Sequence, residues 1–593
     1  MNGILKQALD KHRAGELAEA ERLYRSLLIS TPEDADVLSL LGTVLVAKGD
    51  GTEAVALIKR AIKLDPKAAL FRFHLGNAFM SLEQYLQAAA AFKQTIMLEP
   101  SMAEAHYNLG NAVRLVGDWN SAIEAYREAI KIRPAYAEAH SNLALALVRD
   151  KHFAEALKEA QSAVVGAPDY AEGWLTLCNV AEKFGDYSLS LTAGKRAVEL
   201  APDNPMTHFG YGVALCRLDR YTEAIPVYQR ALAIKPDLVD VLDNLAQSYQ
   251  SLNQLELAEN TYRKAVEAAG QTIEGEDGRE VDEEEYGNRH WHLALMELLR
   301  GKYIEGFARY RARFEDVGGL KRQKFSRPLW RGESLKGKTL LVTDEQGYGD
   351  TLMLSRYCPL LKADGVRVMF SVHPVLKPLF EGWPGADEIV THGQPISGFD
   401  YYASVFDLPH RLGTTLATIP TNIPYLPILE PDPSKLLVKT DKLKVGVVWG
   451  GNPIHGNDVR RSIPLSLFAD MFAEKNVQFF NLNRDLREGD SALLLKYAII
   501  DLVPKLKNFA DSARFMQQLD LIITCDTATA HLAGGMGKQV WTLLPFAPDW
   551  RWLTDRKDTP WYPTMRLFRQ HKIGDWKPVI QDVREALIKK LSK

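Results

Sequence analysis

Ala122-Ile-Glu-Ala-Tyr-Arg-Glu-Ala129-Ile-Lys-Ile-Arg-Pro134-Ala-Tyr-Ala-Glu-Ala-His140-Ser-Asn142-Leu-Ala144 carries the grammar of the first half of this chain. Its proline is one of seven, Pro32, Pro66, Pro100, Pro134, Pro168, Pro202 and Pro236, each 34 residues from the next. Twelve residues before Pro134 stands Ala122, where Ala20, Ala54, Ala88, Ala156, Ser190 and Ala224 precede the others. Five before it, Ala129 matches Leu27, Ala61, Thr95, Ala163, Ala197 and Ala231. Ala144 lies 24 residues before Pro168, in register with Ala8, Gly42, Gly76, Gly110, Cys178 and Gly212. A fixed period of this length means stacked copies of one supersecondary unit. Small side chains at three fixed points predict two helices in close approach, and the proline predicts the end of the second. Leu245, Ala246, Ala258 and Ala265 carry the register into an eighth copy that lacks its proline.

This pattern resembles the tetratricopeptide repeat and spans about residues 1–269, which implies an α-solenoid. Each repeat of a solenoid buries its apolar stripe only against its neighbours. The remaining 270–593 suffice for one two-lobed α/β domain. A net charge of −3 supplies no global field for nucleic acid, so no nucleic-acid partner is expected. Cys178, Cys216, Cys358 and Cys525 form no CxxC pair and no Cys/His cluster, which points to a reducing compartment and away from structural zinc. The start, Met-Asn-Gly-Ile-Leu-Lys, turns polar too early for a signal peptide, and no long apolar run follows. The expectation is a cytoplasmic chain without membrane insertion.

Residues 270–336 read as a connection. Gly270 to Gly287 is acidic and poor in hydrophobics, a solvated linker. Trp291, Leu295, Leu298 and Leu299, then Phe307, Tyr310 and Phe314, keep helical spacing and predict a further hairpin. Lys321 to Lys338 is basic and irregular. From 337 the pattern alternates strands with helices. Strands are predicted at Thr339–Thr343, Val366–Val372, Ile389–Val390 and Tyr401–Val405. A proline-rich link, Pro420 to Pro433, leads to a second series at Val445–Trp449, Val477–Phe480, Leu521–Thr524 and Val540–Leu544. Two such series imply two Rossmann-like lobes with parallel sheets, at 337–430 and at 431–593, the latter with a C-terminal helix. In open sheets of this kind, ligands bind beyond the carboxyl ends of the strands.

Three loops sit there. The first, Glu345-Gln-Gly347-Tyr-Gly349-Asp350-Thr351, can turn tightly at its glycines. Asp350 falls at or near a helix start facing the interlobe cleft, and helix capping alone also accounts for an aspartate there. The second is Trp449-Gly450-Gly451-Asn452-Pro453, followed by Arg460-Arg461-Ser462. Exposed Gly-Gly amides beside cations suit a diphosphate, and an ordinary glycine loop with two solvated arginines has the same sequence. The third is Cys525-Asp526-Thr527-Ala528-Thr-Ala-His531-Leu-Ala-Gly534-Gly535. Asp526 and Thr527 cap a helix start, where amides and dipole favour an anion, and His531 follows one turn later. The alternative is a simple cap, a packed histidine and glycines for helix contact.

Taken in this order over about residues 337–575, the three loops resemble those of heptosyltransferase-like glycosyltransferases, which share the two-lobed GT-B fold. The resemblance implies that Asp350 is the catalytic base, with Gly347 and Gly349 in its donor-binding loop. It implies that Asp526, Thr527, Ala528 and His531 line the nucleotide-sugar loop. Gly450, Gly451, Asn452, Arg461 and Ser462 then match the diphosphate-contacting region. Alanine follows Thr527 where the classical motif has glycine. Pro545-Phe-Ala-Pro-Asp-Trp550-Arg551-Trp552 and Trp561-Tyr-Pro563 resemble in composition the tails of bacterial proteins that join such repeats to this domain, flagellin-modifying transferases among them. Trp550, Arg551 and Trp552 suit stacking and cation–π contact with a base or sugar, or else a core.

On the repeat face that lines the groove stand His74, Asn108, Asn142 and Asn244, and one turn on, Asn77, Asn111 and Asn179. Such a ladder of amides can pair with the backbone of an extended peptide, and its layout resembles that of the eukaryotic protein O-glycosyltransferase; the alternative is that the asparagines only solvate the groove. The reading is a metal-independent, inverting glycosyltransferase without a resident cofactor. A nucleotide-sugar is its co-substrate, and its acceptor protein, flagellin by resemblance, is held by the repeats. The alternatives are a repeat scaffold whose transferase domain only binds, and transfer to a lipid-linked saccharide.

Overall fold

A computed structural model describes residues 3–270, 288–314, 323, 325–392, 394–454 and 456–592. The expected solvated linker at 271–287 and most of the basic stretch before 325 lie outside the described residues. The chain divides into two compact units, Met1–Pro236 and Asp237–Lys593.

The first unit is a run of seven helical hairpins, from Gly3–Arg13 with Leu17–Ser30 to Pro205–Arg217 with Tyr221–Ile234. The second helix of every pair stops two residues before its proline, as the missing N–H and fixed φ of proline require. The small residues answer to one bulky partner each. Gly42, Gly76 and Gly110 face Ile58, Phe92 and Tyr126, and a Cβ at any of the three would come within 2.5 Å of that side chain. Helix pairs approach closely because these positions carry no side chain, and the partner fills the gap at crystal-like density.

A second periodic device is absent from the proline pattern itself. Six residues after the proline, a side-chain donor reaches back to the proline's own carbonyl. His106 reaches Pro100 at 3.0 Å, His140 Pro134 at 2.9 Å, Trp174 Pro168 at 2.8 Å and His208 Pro202 at 2.8 Å. Arg72 does the same to Pro66. Each bond satisfies a carbonyl that lies beyond the end of a helix and would otherwise need water.

The second unit opens with the eighth hairpin, Val239–Ser251 and Leu255–Ala268, and continues through the expected hairpin, Asn288–Leu299 and Tyr303–Arg309. A buried ionic cluster joins the two. Glu297 is fully buried and accepts from Arg263 at 2.8 Å and Arg309 at 3.1 Å. Glu259 accepts from Lys302 at 2.7 Å, Arg263 at 3.2 Å and Arg300. Burial raises the Glu297 carboxyl against the pull of Arg309 and Arg263. Burial also penalises the Glu259 carboxylate, but Lys302 and Arg300 overcome this and hold its pKa down.

Two parallel sheets follow. The first holds β1 (Thr339–Thr343), β2 (Arg367–Val372), β3 (Glu388–Thr391) and β4 (Tyr401–Ser404) in the order β3-β2-β1-β4. The second holds β5 (Leu443–Val448), β6 (Val477–Asn481), β7 (Ile500–Asp501), β8 (Leu521–Cys525), β9 (Val540–Leu544) and β10 (Met565–Arg569) in the order β10-β9-β8-β5-β6-β7. Counted from its own first strand, that is the 3-2-1-4-5-6 order of doubly wound sheets. Eight of the ten strands lie where the sequence pattern puts them. β7 is too short to show a period, and β10 lies in the tail read for its aromatics. Arg356 ties the lobes together. It donates to the Trp561 carbonyl at 2.7 Å, the Pro420 carbonyl at 3.1 Å and the Tyr425 hydroxyl at 3.0 Å, and packs over three aromatic rings.

Candidate functional site

Strand order reverses between β1 and β4 in the first sheet and between β5 and β8 in the second. The loops beyond these strands are the switch points at which open α/β sheets hold ligands. The three loops singled out in the sequence follow β1, β5 and β8.

The loops after β1 and β8 touch. The helix Tyr348–Leu354 packs on the helix Ala528–Gly535, and Gly349 makes this possible, since a Cβ there would lie 2.7 Å from the His531 ring and 3.3 Å from the Ala528 Cα. Asp350 is the third residue of its short helix. One carboxylate oxygen accepts from the Gly347 N–H at 3.0 Å, and the other pairs with Arg551. Arg551 also holds Asp549 at 2.6 Å. The capping function and a charge partner therefore coexist at Asp350. Burial lifts its carboxyl above the usual range, and Arg551 works against that lift.

The hairpin preceding β1 closes the other side of the first lobe. Arg313 has no exposed side-chain surface. It bonds Glu345 in the β1 loop at 2.6 and 2.9 Å and Asp407 in the β4 loop at 2.9 Å. Tyr310 stacks on Phe406 with ring centroids 4.9 Å apart. Sequence reading missed the pairing of Arg313 with Glu345 and Asp407 and that of Arg551 with Asp350, because these partners lie 32 to 201 positions apart.

Three expectations need correction. The amides of Gly450 and Gly451 are not exposed for an anion. Gly450 N–H donates to Asn483 at 2.7 Å, and Gly451 N–H donates to the Ser462 hydroxyl at 3.1 Å. Ser462 in turn donates to Asp458 at 2.9 Å, so this loop is braced from within. Nor do Asp526 and Thr527 cap their helix through side chains. Thr527 is the N-cap residue, but its hydroxyl pairs with that of Thr524 at 3.1 Å. The aromatics of the tail form core and offer no open face. Trp552 is wholly buried and stacks on His531 at 5.3 Å, while Trp550 packs edge-on against Tyr303 and Phe307.

His531 is the packed histidine of the alternative reading. It is buried, meets the Tyr562 hydroxyl at 2.9 Å, and burial drives its pKa well below the ordinary value, so the ring is neutral. Gly534 and Gly535 accept the close approach of Tyr562 and Leu426. Asn452 is exposed and accepts from the Ile454 N–H at 3.0 Å. Arg461 reaches across from the β5 loop to the Asp526 carbonyl at 3.2 Å. Burial, and after it the nearby Asp549 carboxylate, push the Asp526 carboxyl up to about 6. Around this junction, Arg551 Nε is a buried donor without an acceptor, Arg461 Nε has only the Asp458 carboxylate at 3.6 Å, and Trp552 Nε1 faces the Asp526 carboxyl. Donors of that kind normally find a partner, and a bound oxyanion would supply one.

The repeat ladder is partly paired with itself. Asn108 donates to Asn77 at 3.0 Å, and Asn142 donates to Asn111 at 2.9 Å and to the Tyr107 hydroxyl at 3.1 Å. His74 meets the Ser39 hydroxyl at 2.8 Å, and burial lowers its pKa to about 4. Asn179 is exposed. Asn244 belongs to the second unit and donates to the Asp240 carbonyl of its own helix at 2.8 Å. Among the described residues, no three His, Cys, Asp or Glu side chains gather as metal ligands, and no helix is long and apolar enough to cross a membrane.

A tetratricopeptide-repeat solenoid followed by an α/β region of two parallel sheets is the class that these features define. Tetratricopeptide-repeat models match residues 5–69, 76–116, 114–150 and 203–271. Over 408 residues the chain is 26% identical to Protein FlbA of Caulobacter vibrioides, covering 63% of this chain and 66% of that protein. The chain thus spans just under two thirds of this relative's length. Among solved structures, MamA is 27% identical and covers 28% of this chain and 96% of its own, with a TM-score of 0.26. YrrB, described as a TPR protein with an unusual peptide-binding site, is 22% identical over 31% of this chain and 95% of its own, with a TM-score of 0.27.

Proposed function

We propose that the second unit is a metal-independent, inverting glycosyltransferase of GT-B architecture, and that the repeats hold the protein whose Ser or Thr receives the sugar. One observation carries this reading. The switch-point loops of two parallel sheets meet around the buried guanidinium groups of Arg461 and Arg551, whose Nε–H groups make no close hydrogen bond. A nucleotide-sugar brings the missing oxyanions in its diphosphate.

In the reaction the acceptor hydroxyl attacks the anomeric carbon and loses its proton as the bond to the nucleotide breaks. A single attack of this kind inverts the anomeric centre. In this reading Asp350, the carboxylate of the β1 loop, takes the proton, a role worth about 10²–10⁴ in rate. Burial raises its pKa, as suits a group that must take up a proton, and Arg551 works against that rise. The leaving diphosphate gathers charge beside Arg461 and the start of the helix Ala528–Gly535, where dipole and cation both favour an anion. Because the Gly450 and Gly451 amides are engaged, these glycines contribute room and not hydrogen bonds. Flagellin is the leading acceptor through the resemblance of the repeat–transferase pairing.

Thermal shift against a panel of nucleotide-sugars, followed by transfer with the stabilising donor, tests this reading. Asp350→Asn keeps the shape and the Gly347 contact, and should lower turnover about 100-fold or more while leaving donor affinity in place. Retention of a tenth of the activity removes Asp350 from the role. A binding scaffold without turnover is the second reading, favoured by the engagement of both Asp350 oxygens. A donor that binds but is neither transferred nor hydrolysed decides for it.

A further inference from the structure

A groove of about 760 Å³ lies elsewhere in the second unit, between the turn at Asn253, the strand end at Arg569 and Gln570, and the C-terminal helix. That size falls within the usual range for small-molecule sites. Three side chains on its lining hold a buried polar atom without a partner: Asn253 Oδ1, Arg569 Nη1 and Gln570 Nε2.

Their orientations are fixed by bonds on the other side. The Asn253 amide nitrogen donates to the Phe546 carbonyl at 2.6 Å, which leaves its oxygen free to accept. Gln570 is 5% exposed, and its oxygen accepts from Phe546 N–H at 3.1 Å and Gly574 N–H at 3.3 Å, which leaves its amide nitrogen free to donate. Arg569 spends its other nitrogens on the Arg556 carbonyl at 2.9 Å and the Trp552 carbonyl at 2.6 Å. Among the described residues, no carboxylate lies within ion-pair distance of Arg569. Asp555 on the same lining acts on Arg569 only from a distance, and a largely buried guanidinium with so weak a counter-charge is costly, as is each unpartnered polar atom. Asp555, Asp582 and Glu585 share the lining, but Arg556, Lys557, Arg566, Arg569 and Lys589 outnumber them.

We propose that this groove is a second ligand site, which takes a small polyhydroxylated oxyanion of the kind found in sugar phosphates and sugar acids. Its oxyanion sits on Arg569 and Gln570, and one of its hydroxyls donates to Asn253. The site is separate from the switch-point loops and does not depend on the transferase reading.

Isothermal titration of the full chain with glucose 6-phosphate, glucuronate, glucose and inorganic phosphate tests it. Saturable binding of one of the two anionic sugars is expected, and which of the two binds names the oxyanion. Glucose should not bind, and inorganic phosphate should bind at least about tenfold more weakly than the sugar phosphate. Arg569→Gln should weaken the anionic sugar by about tenfold or more. If that variant is too unstable to titrate, the exposed pair Arg566→Glu and Lys589→Glu reads the same loss on a folded chain. Failure of both anionic sugars to bind overturns the proposal, as does equal binding of glucose, equal binding of inorganic phosphate, or unchanged affinity in the variants.

Discussion

At the scale of single residues, the junction of the loops is governed by burial of charge. Asp526 titrates near pH 6 in the folded chain and near the ordinary carboxylate value of about 4 when unfolded. Its folded pKa is raised, so its contribution to stability is fully present below pH ~4 and is lost as the pH rises through about 6. Asp526→Asn should therefore raise the thermal midpoint at pH 7 and flatten the rise in midpoint between pH 7 and pH 5. A variant whose midpoint follows pH as the native chain does would show that Asp526 ionises freely. Asp350, Arg461 and Asp526 were legible in the sequence because each lies in the segment that directly follows a predicted strand. Arg313, Asn483 and the pairing of Arg551 with Asp350 were not, since nothing local marks a side chain whose partner lies far along the chain. The aromatic tail misled for the same reason, because composition suits both a stacking face and a core, and only packing decides.

At the scale of elements, the repeat hairpins were almost fully readable, since a period of 34 shows each boundary seven times. The carbonyl clips were hidden because their donors differ in chemistry from repeat to repeat. His140 is a clip whose pKa is shifted by its surroundings. Burial opposes its charge, but the Glu159 carboxylate at 2.6 Å and the Pro134 carbonyl at 2.9 Å outweigh this and raise its pKa. The raised value places its stabilisation below the unfolded pKa of about 6.5, with loss as the pH climbs through the higher folded value. His140→Ala should cost about 1–3 kcal/mol at pH 6 and less at pH 9, measured by urea unfolding at the two pH values. Equal costs at both would mean that only the neutral ring is used. A steric counterpart tests the glycine register. Gly110→Val forces a side chain into the Tyr126 ring and should cost about 1–3 kcal/mol by overpacking, whereas Glu128→Ala on the exposed face of the same hairpin should move the midpoint little.

At the scale of the whole molecule, the boundary that matters lies one hairpin earlier than the repeat register suggests. The sequence pattern runs to about residue 269, yet the eighth hairpin belongs to the second unit, where Glu259 and Glu297 share Arg263 and its neighbours. A periodic pattern cannot reveal this, because the eighth copy looks like the others up to its missing proline. The consequence is a comparison of two truncations. A chain beginning at Asp237 keeps both carboxylates and all four of their cations, so it should fold and bind nucleotide-sugar as the full chain does. A chain beginning at Gln271 loses Glu259 and Arg263 and leaves buried Glu297 with Arg309. Removing one side of a buried ion pair costs about 3–5 kcal/mol, a large share of a domain's stability. That chain should melt earlier or aggregate, which circular dichroism and thermal scans will show. In the proposed reaction, the folded chain from Asp237 should hydrolyse donor at the full-chain rate and yet transfer poorly to the acceptor protein, since tethering by the repeats raises the acceptor's local concentration, commonly to the millimolar range. Transfer as fast as that of the full chain would leave the repeats without their proposed part in capture, and equal stability of the two truncations would remove the ionic cluster from the fold's supports.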